Sequence, residues 1–241
     1  MQLYGILIAA ALAIAAFLCT REEKRLGLPK DTGLDIILYA LPPALIVARL
    51  YYVAFSWEYF KTRPGDIIKL WEGGLAIYGA VIGGAIGVWM LSRKHKIPFF
   101  YLSYIIAPSL LLGQAIGRWG NFFNQEAYGY AVTDPAWQFF PIAVNIAGQW
   151  HLATFFYESL WNLIGFVFLY MNRIRFEQSG KHGHVFCWYL IWYGARRFVI
   201  EGLRTDSLMW GSIRVSQMLS LILVICAAVK LIADARKSRM A

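Results

Sequence analysis

Between Gly117 and Gly129 the chain reads GRWGNFFNQEAYG, which sets Arg118, Asn121, Asn124, Gln125 and Glu126 among Phe122, Phe123 and Tyr128. An arginine beside amides and a carboxylate is suited to holding an anion, because its planar fork of N–H donors matches phosphate or carboxylate oxygens. The plain alternative is a solvated loop with one ion pair, Arg118 with Glu126, worth little if exposed. The aromatic neighbours argue against it, since they would keep the segment in apolar surroundings where unpaired polar groups are costly. A second cluster, YGARRFVIEGLRTD at 193–206, puts Arg197, Glu201 and Arg204 at i, i+4 and i+7 on one helix face, with Arg196 off that stripe. Two arginines around one glutamate leave one guanidinium in excess for an anion; the alternative is a set of snorkelling side chains at an interface. A third stretch, HLATFFYESLWN, contributes His151, Tyr157, Glu158 and Asn162.

The elements that must position these residues are membrane spans. Of 241 residues, 59% are hydrophobic and 15% charged, against roughly 25% charged in a soluble domain. Crossing a bilayer takes about 20 apolar residues in a helix, because hydrocarbon offers no partner to exposed backbone polar groups. Runs of this kind lie near 3–19, 33–56, 74–91, 99–116, 153–171, 184–200 and 213–233. The expected fold is therefore an all-α integral membrane protein, one domain over 1–241 with seven transmembrane helices. Thirteen Lys and Arg fall in the segments 21–30, 93–96, 173–181 and 236–239, against eight in the alternate set. The positive-inside rule then puts the N-terminus outside and the C-terminus in the cytoplasm. All three polar clusters gather at the outer face, with a polar interfacial segment after the fourth helix carrying Trp119, Trp137 and Trp150. The net charge of +9 is explained by topology and anionic lipid and does not call for nucleic acid.

The first run lacks a basic leader and a small-x-small site, so it is expected to remain as a span. Cys19, Cys187 and Cys226 fall one per hydrophobic run with no metal spacing, which suits small core side chains without a disulfide. In GGLAIYGAVIGGAIG, 73–87, Gly79, Gly83 and Gly87 recur every four residues beside the stripe Ala76, Ala80 and Gly84, a pattern for close helix packing. Tyr78 stands out there, because a phenol at a tight crossing needs a hydrogen-bond partner. Pro42, Pro43 and Pro108 are expected to bend the second and fourth spans.

The run Gly117, Arg118, Gly120, Asn121, Phe122, Asn124, Glu126, Gly129 resembles the signature of the bacterial prolipoprotein diacylglyceryl transferase family. The resemblance extends to LYG at 3–5, ARLYYVAF at 48–55, the glycine stretch, YES at 157–159 and the Arg197, Glu201, Arg204 stripe. It implies an inner-membrane enzyme of seven spans that moves the diacylglyceryl group of phosphatidylglycerol to the lipobox cysteine of a preprolipoprotein signal peptide, forming a thioether and releasing glycerol phosphate. Arg118 and Arg197 would clamp the phosphodiester with Arg204 near them; Asn121, Glu126 and Glu201 would aim the arginines. Tyr4, Gly129 and His151 are also expected on the substrate side. Many relatives carry a histidine in the glycine stretch where this chain has Tyr78, and a phenol is a poor base near neutral pH. His95, His182 and His184 fall on the inner side, which leaves His151, a carboxylate, or no dedicated base to take the thiol proton.

The competing class is a non-catalytic seven-helix lipid-binding or transport protein, which should place charges near mid-membrane and show related halves with interrupted helices. Neither pattern is visible in the sequence. An enzyme of headgroup metabolism would show an acidic metal motif, and no metal, nucleotide or cofactor motif is present.

Overall fold

The structure, a computed structural model, describes residues 2–178, 182–203, 209–210 and 213–240. Among these residues the long helices are α1 (Gln2–Leu26), α2 (Thr32–Phe55), α4 (Ile77–His95), α5 (Phe99–Phe123), α6 (Thr154–Gln178), α7 (His182–Glu201) and α8 (Val215–Met240); α3 is a single turn, Trp57–Phe60. Each long helix overlaps one of the seven hydrophobic runs. Four of them contain stretches long and apolar enough to cross a membrane: Leu3–Leu26, Thr32–Phe55, Phe99–Phe123 and Ser216–Arg236. By Cα proximity the chain forms two compact units, Ala16–Ile105 and Met1–Ala15 with Ile106–Ala241, so that α1 and α5 each contribute to both.

In the unit Ala16–Ile105, α2 and α4 pack antiparallel along the glycine stripe. A Cβ on Gly79, Gly83 or Gly87 would lie 2.5, 2.1 or 2.0 Å from the backbone oxygen of Val47, Pro43 or Tyr39. The expected close approach is therefore real, and its partner is α2; both prolines of α2 lie within the helix. The stripe that packs is Gly79, Gly83, Gly87, whereas a Cβ on Gly84 would meet only Ala44, at 3.9 Å. Two charged side chains fix the ends of α2. The Glu23 carboxylate accepts the N–H groups of Asp31 and Gly33 at 3.1 and 2.7 Å, which satisfies donors that the first turn of a helix leaves orphaned. At the other end Arg49 donates to the carbonyls of Asp66, Ile67, Gly73 and Gly74. This ties down the connection between α2 and α4, in which the ammonium of Lys69, 2.7 Å away, holds the Asp66 carboxyl below the usual range.

The other unit is knit by polar contacts between apolar helices. Ser159 on α6 accepts from the Trp119 indole at 3.1 Å and donates to the Ala115 carbonyl at 2.9 Å, both on α5. Trp161 and Trp192 exchange indole-to-carbonyl bonds between α6 and α7. Gly194 admits α8, for a Cβ there would lie 2.9 Å from the Ser220 oxygen.

The fold is mostly helical, as expected of an all-α membrane protein, and three details differ from the sequence reading. Two short hairpins join the helices: β1 (Ala143–Ile146) pairs antiparallel with β2 (Gln149–Leu152), and β3 (Met209–Trp210) with β4 (Ile213–Arg214). The first hairpin follows from VNIAGQW, where Ala147 and Gly148, at φ 51° and 87°, form the two-residue turn with both φ positive that matches strand twist. Second, α5 runs on to Phe123, so Arg118, Trp119 and Asn121 lie on its last turns and not in the following connection. Trp119 packs edge-on against Phe155. Third, Cys19 and Cys187 are buried as expected but Cys226 is exposed on α8.

Candidate active site

The last turns of α5 carry the first group. Tyr4 of α1 lies against Gly120, where a Cβ would come within 2.2 Å of its ring. Arg118 Nη1 donates to Asn121 Oδ1 at 3.1 Å, and Asn121 Nδ2 donates to Glu126 Oε1 at 3.0 Å. Asn124 adds a bond to the same oxygen at 3.3 Å. Arg118 and Glu126 are thus linked through Asn121 as intermediary. Gln125 and Ala127, on either side of Glu126, both have left-handed backbones, φ 52° and 59°. Such conformations cost about 1–3 kcal/mol for a residue with a side chain and persist only where surroundings enforce them. Here Thr154 Oγ1 donates to the Ala127 carbonyl at 2.9 Å, Gly129 N–H to Leu152 at 3.1 Å and Tyr130 N–H to Leu203 at 3.2 Å. The signature segment is thereby pinned to the start of α6 and to the turn that ends α7.

Gly129 also meets the histidine: His151 Nδ1 stands 3.1 Å from the Gly129 oxygen, and the imidazole packs on Tyr128 with centroids 4.4 Å apart. A carbonyl can only accept, so Nδ1 carries the proton and Nε2 of the neutral ring keeps its lone pair.

The centre of the charge arrangement is Glu158 on α6. Its Oε2 accepts from Arg118 Nε at 3.0 Å and from Arg196 Nη1. The Glu158 and Arg196 side chains are each 1% exposed, whereas that of Arg118 is 22% exposed. Arg197 pairs separately with Glu201 at 2.8 Å and reaches Ser216 Oγ at 3.4 Å. One turn along α6 from Glu158, Asn162 is fully buried, and among the described residues neither of its amide atoms has a hydrogen-bond partner. The polar character of this interior therefore continues beyond the ion cluster.

The expected pair of Arg197 with Glu201 is present at 2.8 Å, and Arg204, the third member of the stripe, lies outside the described residues. Arg196, set aside as off the stripe, is the fully buried partner of Glu158. Glu158 was read only as one of a polar set with His151, Tyr157 and Asn162, with no partner assigned to it. A signal did exist: Glu158 and Asn162 are spaced i, i+4 in an apolar helix, and an ionisable group there asks for a partner of opposite charge. Tyr78 lies in the unit Ala16–Ile105, half-buried in the first turn of α4, with its ring 6.3 Å from that of Tyr51. Among the described residues no His, Cys, Asp and Glu are grouped as a metal site would require.

The sequence model of the prolipoprotein diacylglyceryl transferase family matches residues 1–233. This chain belongs to that family. Members similar to it include the phosphatidylglycerol–prolipoprotein diacylglyceryl transferases of Listeria monocytogenes and Bacillus cereus, each 45% identical, over 92% and 95% of this chain and 81% and 86% of the relatives. The enzyme of that name from Limosilactobacillus reuteri is 44% identical over 98% of this chain and 87% of its own length. In the diacylglyceryl transferase family, then, the signature segment of this chain is where helix end, strained turn and hairpin meet.

Proposed function

We propose that this chain is a phosphatidylglycerol–prolipoprotein diacylglyceryl transferase acting at the outer face of a bacterial inner membrane. The observation that carries the reading is identity of about 45% with enzymes of that name over nine-tenths of the chain. Residues 1–241 act as one transferase domain of seven spans, N-terminus out and C-terminus in, no cofactor being required. In the reaction the lipobox cysteine thiol, with an ordinary pKa of about 8.5, loses its proton, and its sulfur forms a bond to the terminal glycerol carbon of the diacylglyceryl group. The bond from that carbon to the phosphate oxygen breaks, and the electron pair leaves with glycerol phosphate.

Arg118 and Arg197 hold the phosphodiester and take up charge as it departs, the use to which a guanidinium is suited. Asn121 and Glu126 aim Arg118, and Glu201 aims Arg197. Tyr78 donates a hydrogen bond to lipid, thiol or leaving group. Arg204, Tyr4, Gly129 and His151 line the substrate side, and the imidazole, with Nε2 unprotonated, is the group of this set able to accept the thiol proton.

Purified protein is given acyl-labelled phosphatidylglycerol and a lipobox peptide. Label is expected on the peptide carrying cysteine and not on the same peptide with serine; no transfer to either rejects the reading in favour of a lipid-binding protein. Orientation is tested by an impermeant thiol reagent on intact cells carrying single added cysteines. Labelling at 130–140 and not at 21–30 is expected, and the reverse overturns the map.

A further inference from the structure

Glu158 supplies one negative charge to two guanidiniums. Arg118 and Arg196 both donate to its Oε2, and two of the three groups are sealed from solvent while Arg118 keeps partial access. Glu158 lowers the positive potential that the more exposed guanidinium, Arg118, offers to an incoming anion. Electrostatic attraction in such a poorly solvated place depends on the net charge of the cluster rather than on any single donor. Arg196 supplies the missing charge. Its side chain is completely buried, its guanidinium carbon sits 5.1 Å from the centre of the Tyr193 ring, and its Nε makes no hydrogen bond among the described residues. It is held by the carboxylate and an aromatic face, not by a set of carbonyls, so its charge is directed at Glu158.

We infer that Arg196 is a positioning residue that neutralises Glu158, so that Arg118 retains its positive charge for the phosphate of the lipid substrate. Arg196 touches no substrate and moves no proton; it acts through Glu158 on Arg118. This rests on the reading of Arg118 as the phosphate clamp.

The test follows the net charge of the cluster in full-length protein reconstituted in membranes. Arg196→Gln lowers it by one unit and should raise KM for phosphatidylglycerol about tenfold, with kcat and the KM for lipobox peptide within about threefold of wild type. Arg196→Lys keeps the charge and should stay near wild type. The double variant Arg196→Gln/Glu158→Gln removes one charge of each sign and so keeps the net charge of wild type, and its KM for phosphatidylglycerol should return to within about threefold of wild type. A merely structural role would raise both KM values together or leave both unchanged, and either outcome overturns the inference. If Arg196→Gln does not fold, the double variant decides, because it removes both members of the buried pair together: a KM for phosphatidylglycerol raised tenfold there rejects the charge argument. Wild-type protein without transfer would count against the proposed reaction itself; active wild type without this KM pattern counts against the role of Arg196 alone.

Discussion

Arg49 and Arg196 are both almost wholly buried, and the company they keep separates a staple from a site. In the unit Ala16–Ile105, Arg49 spends its donors on four backbone carbonyls between Asp66 and Gly74, with the rings of Phe60 and Tyr52 about its guanidinium at 5.2 and 5.9 Å. Neutral acceptors satisfy the fork and fix a connection. In the other unit, Arg196 and Arg118 converge on a single carboxylate, which leaves charge over. Burial of an arginine therefore says little about function. The chemistry of its acceptors says much more, because carbonyls consume donors whereas an outnumbered carboxylate leaves a field behind.

The sharpest way to break this contrast is at the exposed member of the charged cluster. Arg118→Lys keeps the charge and loses the planar fork, and it should lower transfer by about 10²-fold or more, the scale of one transition-state donor. Arg197→Ala should do likewise. Initial rates with labelled lipid decide; wild-type rates from both would reduce these arginines to interfacial anchors. Tyr78→Phe removes one hydroxyl and preserves ring volume, so it should slow transfer about 10- to 1,000-fold with the fold intact, while Tyr78→His keeps a ring donor and measurable transfer. A fully active phenylalanine variant would refute the hydrogen-bond role.

Arg49→Lys should show the opposite profile. Trading four directed bonds for a point charge should cost about 2 kcal/mol, seen as a fall of roughly 4–8 °C in melting temperature, with kcat changed by less than about threefold. Should activity collapse while melting holds, Arg49 belongs with the site and the contrast fails. The smallest effect is expected at His151. Glutamine can still donate to the Gly129 carbonyl, so His151→Gln should cost about fivefold if the imidazole only assists; a loss near 100-fold would make it the base for the thiol.

The positions of the long helices were legible because hydrophobic runs of about 20 residues report directly on helix length, and the glycine stripe was legible because a four-residue repeat of small side chains has one main use. Asn121 and Glu126 were also readable as a unit, since they are close in sequence. What the sequence concealed was pairing between helices. Besides the Arg197–Glu201 pair that spacing on α7 announced, two arginines meet one glutamate across α5, α6 and α7. Its decisive partner, Arg196, sits beside the arginine that local spacing favoured. An i, i+4 rule sees neighbours on one helix and is blind to a carboxylate 38 residues away. The β1–β2 hairpin was missed for a different reason: strands of four residues with a polar face give little signal beside so much apolar sequence, and its turn was concealed in an Ala-Gly pair.

The seat of Tyr4 has a consequence for how the chain comes into being. The tyrosine rests on Gly120, more than a hundred residues later in the order of synthesis, while the second half of the same helix belongs with Ala16–Ile105. At the pace of translation the gap is on the order of ten seconds. During that interval the leading half of α1 sits in the lipid with its final neighbour still unmade, and the Ala16–Ile105 unit can complete itself first. Docking of Tyr4 is thus a late event, and a glycine at 120 keeps the berth open for a residue that arrived long before it.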